Sequence, residues 1–426
     1  MPATKNKPIT AVIVGAGHRS IAYSKYSLQH PDELKIVGVA DPNEYRRAQA
    51  AELFGFGSDM CFESADELAE KGQSADAVIN GTMDLQHVPT AIPLLKVGYD
   101  MLLEKPIATS EAEVRQLYAV AKECSSTVMI CHVLRYAPFY AKIREIVAAG
   151  DIGDIVSMMT AENVSYHHMA TAFVRGKWNR LEYGSTMLMS KCCHDLDLIT
   201  WMKSGVAPKA VASFGSLMQF KRENAPEGSG ERCVVDCKIE KTCPYSAKKN
   251  YIEQGIWGFY AWQGIEDQEQ NEENWMKSLA TDNPHGRCVW RCDNDVVDHQ
   301  SVAIEFSDGS TASHNMTGGT SRPCRSMHLI GTKGEIQGVM EDGYFVVRHP
   351  DARKGHEWSE ERVKTEVTND PHGGGDLRLV GDFVRTLLGE PRSISCTSLE
   401  DSIYGHLIGF GADQARVERR VVDIVK

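Results

Sequence analysis

Apolar and polar positions alternate over the first 150 residues in blocks that have the lengths of strands and helices. Four apolar runs have the length of buried strands: residues 9–14, 34–41, 75–82 and 99–106. The stretches between them carry helical spacing, most clearly in residues 45–54, 86–97 and 111–122. Buried strands that alternate with helices predict a parallel sheet with helices on both faces, the doubly wound arrangement.

The pattern changes after about residue 151, where strand-like runs follow one another and glycine-containing turns join them. These runs cover residues 154–164, 209–220, 299–317, 326–340 and 343–349. Such runs predict an antiparallel sheet, and a partly buried helix around residues 187–201 packs with it. We therefore expect an α/β protein: an N-terminal Rossmann domain, then a C-terminal α+β domain on a large, mostly antiparallel open sheet.

The expected domain limits follow from these patterns. Residues 1–150 form the nucleotide-binding domain, residues 151–396 form the substrate and oligomerisation domain, and a helix in 397–426 packs back against the first domain. A Cys-rich insertion, residues 221–294, interrupts the second domain. Its acidic run, IEDQEQNEENW, is interpreted as a solvated loop.

Length and charge exclude several classes of protein. The chain has 426 residues, a net charge of −12 and no Lys/Arg-rich stretch with interleaved aromatic residues, so we expect no nucleic-acid partner. No run approaches the roughly 18 apolar residues of a membrane span, and the apolar run before Gly15 is too short for a signal peptide. We expect a cytoplasmic protein with no membrane partner, whose 12 cysteines stay mostly reduced.

The first apolar run, Ile9–Val14, leads into the sequence GAGHRS and then into a helical pattern. In a dinucleotide turn of this kind, Gly15 permits the tight turn and Gly17 lets the backbone approach a pyrophosphate. Ser20 replaces the third glycine, and as a small residue it can pack the helix against the strand. The second apolar run ends in Asp41, whose carboxylate can bind the adenosine ribose and repel a 2′-phosphate, which favours NAD over NADP.

Glu104, Lys105 and Pro106 lie at the carboxyl end of the fourth apolar run. The carboxyl ends of the strands in a doubly wound sheet face the ligand crevice. A lysine in that place can polarise a substrate hydroxyl or help to deprotonate it. The alternative is an ordinary exposed loop lysine.

The stretch SKCCHDLDLITW, residues 190–201, concentrates cysteine, histidine and aspartate on one helix. Cys192, Cys193 and His194 fan over roughly 200° of the helix surface, so they cannot converge on one ion. His194 instead shares a face with Lys191 and Asp197, which suits a histidine whose charge state is set by its neighbours. The alternative is a histidine that is merely packed and hydrogen-bonded.

Taken in order, GAGHRS, Asp41, EKP, HVLRYAPFY (132–140) and CCHDLDLITW resemble the Gfo/Idh/MocA family, which includes glucose-fructose oxidoreductase and inositol dehydrogenase relatives. The resemblance covers nearly the whole chain. It implies a two-domain oxidoreductase in which Lys105 and His194 flank the reacting carbon, and a homo-oligomer, dimer or tetramer, built through the open sheet. The implied cofactor-binding residues are Gly15, Gly17, His18, Arg19, Ser20, Asp41, Glu104 and Lys105.

One departure concerns Ser190, because the family often has an aspartate four residues before the histidine, in contact with a substrate hydroxyl. Asp195 and Asp197 are possible substitutes. The candidate substrate-binding residues, most of them at strand ends, are Arg135, Tyr136, Asn163, Tyr166, His167, Lys191 and Asp195.

The implied reaction is oxidation of a secondary hydroxyl of a sugar, glycoside or cyclitol, or the reverse reduction. His194 takes the hydroxyl proton, Lys105 stabilises the oxygen, and hydride moves to the nicotinamide. One alternative is glycoside cleavage by oxidation and elimination with recycled NAD. An alternative of another class is a sensor that binds NAD or sugar without turnover, since fold does not guarantee catalysis.

The insertion places Cys233, Cys237 and Cys243 in one loop and Cys288 and Cys292 in another. A loop of this length with few periodic apolar residues needs an internal cross-link, such as a disulfide or a bound metal ion. We expect a structural Zn²⁺ on Cys233, Cys237, Cys243 and Cys292, with Cys288 as the alternate, although the C-x₃-C and C-x₅-C spacings are looser than usual. Separate thiols, a disulfide and an iron–sulfur cluster are the other possibilities.

Overall fold

The first domain contains a six-stranded parallel sheet. The structure is a computed structural model that describes residues 7–366 and 371–424. The strand order is β3-β2-β1-β4-β5-β6. The strands are β1 (Ile9–Val14), β2 (Leu34–Ala40), β3 (Cys61–Phe62), β4 (Ala77–Asn80), β5 (Asp100–Leu103) and β6 (Val128–Ile130). The predicted doubly wound parallel sheet is confirmed.

Helices follow these strands on both faces of the sheet. They are α1 (His18–Ser24), α2 (Tyr26–Gln29), α3 (Glu44–Phe54), α4 (Ala65–Lys71), α5 (His87–Lys96) and α6 (Glu111–Cys124). The side chains of Asn43, Ser64 and Ser110 accept hydrogen bonds from backbone N–H groups in the first turns of α3, α4 and α6. These caps fix the helix starts, and the observed limits lie within two residues of the predicted ones.

The second domain is built on a nine-stranded sheet with the order β14-β13-β12-β11-β7-β10-β9-β8-β15. Its strands are β7 (Ile155–Ser165), β8 (Pro208–Ser216), β9 (His299–Phe306), β10 (Thr311–Thr320), β11 (Cys324–Gly331), β12 (Glu335–Val339), β13 (Tyr344–Pro350), β14 (Trp358–Lys364) and β15 (Val422–Asp423). Only β7 and β10 pair in parallel, so the mostly antiparallel sheet is also confirmed.

The remaining α-helices lie in the second domain, in the insertion or near the end of the chain. They are α7 (Pro138–Ala148), the short α8 (Tyr166–His168), α9 (Met187–Met202), α10 (Gly258–Ala261), α11 (Glu272–Ala280), α12 (Gly375–Leu387) and α13 (Leu399–Glu418). Helix α9 is almost entirely buried against β7, β10 and α13. Within the described residues, no helix is both long enough and apolar enough to cross a membrane.

Helices α12 and α13 return the end of the chain to the first domain. The apolar face of α12, with Leu379 and Phe383, packs into the same core as Ile13 and Leu34. Helix α12 lies within residues 151–396, the range predicted for the second domain, but it packs in the core of the first domain. The predicted limits therefore do not separate the two hydrophobic cores. Helix α13 contributes to both domains, because Leu399 joins the first core and Ile408 joins the second.

The insertion between β8 and β9 has a small core of its own. Tyr251, Trp262 and Leu279 are buried there together with Cys233. The interpretation of its acidic run as a solvated loop is wrong at two points. Asn271 caps α11 by accepting a hydrogen bond from the backbone N–H of Asn274, and Glu266 forms a bidentate ion pair with Arg46 of α3. The insertion therefore contacts the nucleotide-binding domain.

Candidate active site

The turn after β1 leaves backbone open toward a cleft. Gly15 has φ +76°, and a Cβ there would lie 2.9 Å from the backbone of Thr82, so only glycine fits. A Cβ on Gly17 would meet nothing within 4 Å, so this side of the turn is free for a ligand. Ser20 is completely buried and lies against Gly81 of the loop after β4. The turn fits the pyrophosphate of a dinucleotide, with Ser20 in the packing role.

Asp41 ties this turn to the end of β2. Its carboxylate accepts hydrogen bonds from the backbone N–H of Ala16 at 2.7 Å and of Asn43 at 2.8 Å. The two arginines that follow are already engaged, because Arg46 binds Glu266 and Arg47 donates to the Asp41 carbonyl at 2.6 Å. The ribose end of the cleft thus presents a carboxylate, and both nearby guanidinium groups have protein partners.

Lys105 lies just beyond β5 and reaches into the space between the domains. Its Nζ donates a hydrogen bond to the Ser190 carbonyl of α9 at 2.7 Å. The neighbouring Glu104 accepts from Arg19 at 3.0 Å and from the Tyr23 hydroxyl at 2.7 Å. Although burial raises the pKa of Glu104, Arg19 and Lys105 hold it below its usual value. Glu104 and Arg19 therefore serve as charged supports for Lys105.

His194 lies on α9, one turn after the Ser190 carbonyl that Lys105 contacts. The side chain is 3 % exposed, and neither ring nitrogen has a hydrogen-bond partner within the part of the chain that the structure describes. Burial lowers the pKa of His194 well below 6.5, and the charges of Lys105, His372 and His132 add to this effect. The imidazole is therefore neutral near pH 7, which is the state that can accept a proton.

His372 lies beside His194, although its GGG loop gave no specific chemical prediction. Its ring lies 5.6 Å from the ring of His194, and its Nδ1 lies 3.1 Å from the Asp376 carboxylate. Asp376 in turn forms a bidentate pair with Arg19 at 2.8 and 2.9 Å. The i, i+4 spacing of His372 and Asp376 at the start of α12 was the available sequence signal.

Further candidate residues lie at the end of β7. Lys191 lies 3.1 Å from Glu162, and Asn163 donates to the Cys324 sulfur at 3.2 Å. Tyr166 and His167 follow on α8 with their rings 5.0 Å apart. Burial lowers the pKa of the adjacent His168, and the charges of Lys191 and Lys105 add to this effect. The ion pair between Lys191 and Glu162 joins α9 to the end of β7, which leads into Tyr166 and His167.

Three other predicted substrate-binding residues are engaged inside the protein. Arg135 forms a buried bidentate pair with Asp197, at 2.6 and 2.7 Å. Tyr136 donates to Asp382 at 2.8 Å, and Asp195 lies 3.1 Å from Arg325. These side chains satisfy one another and hold elements together, so the structure does not bring them to the candidate site.

A carboxylate from another element reaches Ser190. Asp84, in the loop after β4, lies 3.4 Å from the Ser190 hydroxyl and accepts from Trp178 Nε1 at 3.1 Å. The sequence analysis offered Asp195 and Asp197 as substitutes for a carboxylate at position 190, and both are paired with arginines instead. Asp84 was not singled out because its proximity to Ser190 depends on a contact between residues 106 positions apart.

The insertion supplies Trp257, Phe259 and Tyr260, which we call the aromatic wall. Trp257 stacks on His168 with ring centroids 4.2 Å apart and donates from Nε1 to His167 Nδ1 at 2.7 Å. Phe259 lies 4.2 Å from the ring of His18 in the nucleotide turn. The insertion therefore contacts both the nucleotide turn and α8.

The insertion cysteines lie apart from this cleft. Cys233, Cys237, Cys243 and Cys288 line one small cavity, whereas Cys292 lies outside it and donates to the Cys288 carbonyl at 3.3 Å. The choice of Cys292 over Cys288 as a fourth ligand is therefore not supported. Among the described residues, the one set of three metal-binding side chains with ligand atoms all within 4.8 Å is Cys192, Asp195 and His314.

Comparisons with known proteins agree with this architecture. Residues 9–132 match the family described as "Oxidoreductase family, NAD-binding Rossmann fold". The chain is 23 % identical over 361 residues to YteT of Bacillus subtilis (strain 168), a protein named as an oxidoreductase, and the match covers 82 % of each chain. It is 24 % identical over 199 residues to inositol 2-dehydrogenase of Corynebacterium glutamicum (strain R), covering 46 % of this chain and 55 % of that one.

A solved structure extends the likeness to the whole chain. The WlbA dehydrogenase from Bordetella pertussis, in complex with NADH and UDP-GlcNAcA, superimposes with a TM-score of 0.67 at 16 % identity, and the match covers 99 % of each chain. At this identity the likeness shows the fold. The two sheets and their connection are therefore shared with a dehydrogenase of known structure.

Proposed function

We propose that the protein is an NAD-dependent dehydrogenase of the Gfo/Idh/MocA type that acts on a secondary hydroxyl of a carbohydrate-like substrate; residues 9–132 match that oxidoreductase family. The observation that carries this proposal is the buried, neutral and unpartnered imidazole of His194, one turn from the Ser190 carbonyl that Lys105 contacts. A buried polar group without a partner is costly. A hydroxyl bound between these two side chains would remove that cost.

The proposed chemistry divides two tasks between two side chains. When bound, the nicotinamide ring supplies the hydride acceptor. One nitrogen of His194 accepts the hydroxyl proton, and the Lys105 ammonium donates a hydrogen bond to the same oxygen as negative charge develops on it. The Ser190 carbonyl holds Lys105 at 2.7 Å, so the ammonium is positioned before substrate arrives.

NAD is the proposed cofactor, and NADP is the alternative. Asp41 lies at the end of β2 where the adenosine ribose binds in Rossmann folds, and its carboxylate repels a 2′-phosphate. Arg46 and Arg47, the nearest guanidinium groups on α3, are held by Glu266 and by the Asp41 carbonyl. Neither is free to compensate the charge of that phosphate.

The aromatic wall supports a ring-shaped, hydroxyl-rich substrate. The three side chains of the aromatic wall form one cluster in contact with His168, and clusters of aromatic rings commonly pack against the C–H groups of sugar and cyclitol rings. Lys191, His167 and Asp84 supply polar groups beside them, as carbohydrate hydroxyls require. Trp257 has φ +60°, a costly conformation for an aromatic residue. The fold therefore holds this ring in place.

A screen of purified protein tests the proposal. A panel of sugars, glycosides and cyclitols is supplied with NAD or NADP, while absorbance of the reduced cofactor and release of aglycone are followed together. The expected result is accumulation of NADH with one class of substrate. Bond cleavage without net NADH would support the oxidation–elimination cycle. Binding of NAD with no turnover on any compound would support the sensor and oppose the dehydrogenase.

A homo-oligomer is also proposed, through the outer face of the second sheet. Val156, Met159 and Phe214 are 50, 43 and 65 % exposed there. Large exposed apolar side chains on one sheet face are typical of subunit interfaces. Native mass spectrometry is expected to give a dimer or tetramer, and Phe214→Asp is expected to shift it toward monomer, whereas a monomeric wild-type protein would contradict this part of the proposal.

A further inference from the structure

Arg175 is a buried cation without a carboxylate partner. The residue is 1 % exposed, and no carboxylate of the described residues lies within 4.0 Å of its guanidinium nitrogens. Its hydrogen bonds go to the carbonyls of Arg287 and Tyr245, to the Tyr251 hydroxyl and to the Cys233 sulfur at 3.4 Å. A fully buried charge normally has a counter-charge nearby.

The sulfur atoms are the other groups around Arg175 that can carry negative charge. The Cys233 sulfur accepts a hydrogen bond from the guanidinium at 3.4 Å. Arg175 also lines the cavity that Cys233, Cys237, Cys243 and Cys288 surround. The cation therefore faces a cluster of four cysteines.

The fold brings these four cysteines together from two chain segments. An antiparallel bridge joins Arg232 to Arg287, and the backbone of Cys233 donates to the Gly286 carbonyl at 2.9 Å. This pairing sets Cys233 beside Cys288. A turn then returns Cys237 and Cys243 to the same cavity. Because all four thiols are free, the arrangement does not depend on a disulfide.

The four cysteines around this cavity are the groups beside Arg175 that can become anions on binding a metal ion. A bound metal ion deprotonates its cysteine ligands.

We propose that Cys233, Cys237, Cys243 and Cys288 bind one structural Zn²⁺ as thiolates, and that Arg175 balances part of the resulting negative charge. Four thiolates on one Zn²⁺ carry a net charge of −2, which gives the buried guanidinium its counter-charge. The hydrogen bond from Arg175 to the Cys233 sulfur is the outer-shell contact expected around such a centre.

Binding would draw the sulfur atoms inward. The described residues contain no set of three insertion cysteines with sulfurs all within 4.8 Å of one another, and Zn–S bonds of about 2.3 Å require sulfurs closer than that. The segments that carry the ligands are loops and turns, which can make this adjustment. The ion would fix the base of the insertion whose other end forms the aromatic wall. The proposal stands independently of the dehydrogenase activity.

Metal analysis of the full-length protein is the first test. Protein purified without chelators is expected to contain close to one zinc per chain. Exchange of zinc for Co²⁺ is expected to give thiolate-to-metal charge-transfer bands and the visible bands of a tetrahedral ion. Protein that holds no metal and whose insertion thiols all react with an alkylating reagent in the native state would overturn the proposal. Iron with acid-labile sulfide would overturn the assignment of zinc.

Matched serine variants test the ligand set. Cys288→Ser is expected to lose the bound zinc, whereas Cys292→Ser and the remote control Cys124→Ser are expected to keep it. The reverse result for Cys288 and Cys292 would contradict the assigned fourth ligand. Because Cys288→Ser could fail to fold, removal of zinc from the wild-type protein by a chelator is measured in parallel. A lowered melting temperature that added Zn²⁺ restores is expected, and no change would contradict a structural role.

Arg175→Met separates the counter-charge from the ligands. Its side chain fills similar space without the charge, so zinc is expected to be retained but to transfer to a competing chelator at least tenfold faster. Equal transfer rates in Arg175→Met and the wild type would show that Arg175 does not balance a metal centre.

Discussion

Helix α9 carries two buried polar side chains, one turn apart, whose surroundings are opposite. Asp197 is completely buried and forms two short hydrogen bonds with Arg135, which also donates to the Cys396 and Asp401 carbonyls. His194 is buried to nearly the same degree, yet neither of its ring nitrogens has a hydrogen-bond partner among the described residues. The two residues are buried to a similar degree and differ in whether their polar atoms have hydrogen-bond partners.

This difference indicates which polar residue is structural and which is available for chemistry. Native interiors satisfy their polar groups, and exceptions concentrate at functional sites. Through Arg135, Asp197 joins α9 to the segment after β6 and to the start of α13. Its carboxylate is therefore already hydrogen-bonded within the protein. His194 has hydrogen-bonding capacity left for a ligand.

Removal of Arg135 is expected to have the largest effect on stability. Arg135→Ala leaves the Asp197 carboxylate buried and unpaired, which costs about 3–5 kcal/mol. Urea unfolding of the variant and the wild type measures the loss. The double variant Arg135→Met with Asp197→Leu removes both charges and is expected to recover much of it. If Arg135→Ala lowers the free energy of unfolding by less than about 1 kcal/mol, the pair does not stabilise the position of the helix.

Removal of the His194 imidazole is expected to affect turnover rather than stability. His194→Asn keeps a polar side chain of similar reach but no base, so kcat is expected to fall about 10²-fold or more. The free energy of unfolding and the affinity for NAD, measured by fluorescence titration, are expected to change little. Lys105→Met is the matched variant at the other proposed catalytic residue. Turnover within twofold of the wild type in both variants would contradict the site.

The depressed pKa of His194 is expected to make the protein sensitive to acid. Its pKa is about 6.5 when unfolded and lower when folded, so below pH 6.5 the unfolded chain binds a proton that the folded chain does not. The stabilising contribution is complete above pH 6.5 and falls as pH decreases. Between pH 7.0 and 5.5 the wild type is expected to lose about 1 kcal/mol more than His194→Asn. Equal losses in urea unfolding would contradict the pKa shift.

The smallest expected effect is on the pH profile of turnover. Because burial keeps His194 unprotonated below pH 6.5, kcat/KM for hydroxyl oxidation is expected to be nearly unchanged between pH 7.5 and 6.5. An ordinary histidine base would lose about half of its activity over that range. A midpoint at pH 6.5 in the measured profile would show that the imidazole is solvated.

The sequence was sufficient to place residues whose position depends on local geometry. Gly15, Asp41 and Lys105 lie at the ends of strands that apolar runs identify, and the carboxyl ends of parallel strands meet at one edge of the sheet. His194 was singled out because its helix has clear spacing and resembles a known motif, and its catalytic role stays a prediction. In each case the residue and the element that positions it are adjacent in sequence.

The sequence was insufficient where a partner comes from a distant segment. Arg135 stands at a strand end like Lys105, and only its contact with Asp197, 62 residues away, shows that it is structural. Asp84 and the aromatic wall reach the cleft through contacts of the same kind. Cys288 and Cys292 have equivalent spacing patterns, and the bridge between Arg232 and Arg287 decides which one faces the cavity.

The position of α12 has a consequence for synthesis of the chain. Leu379 and Phe383 complete a core whose other members include Ile13 and Leu34, so the first domain lacks part of its interior until residue 387 has emerged from the ribosome. Domains that are continuous in sequence can fold as they emerge, N-terminal first. Until then the nucleotide-binding domain exposes the apolar residues that α12 covers in the native structure. Contacts that span more than 300 residues form slowly, so this domain is expected to fold late. Completion of the first domain therefore depends on a segment that is synthesised more than 300 residues after β2.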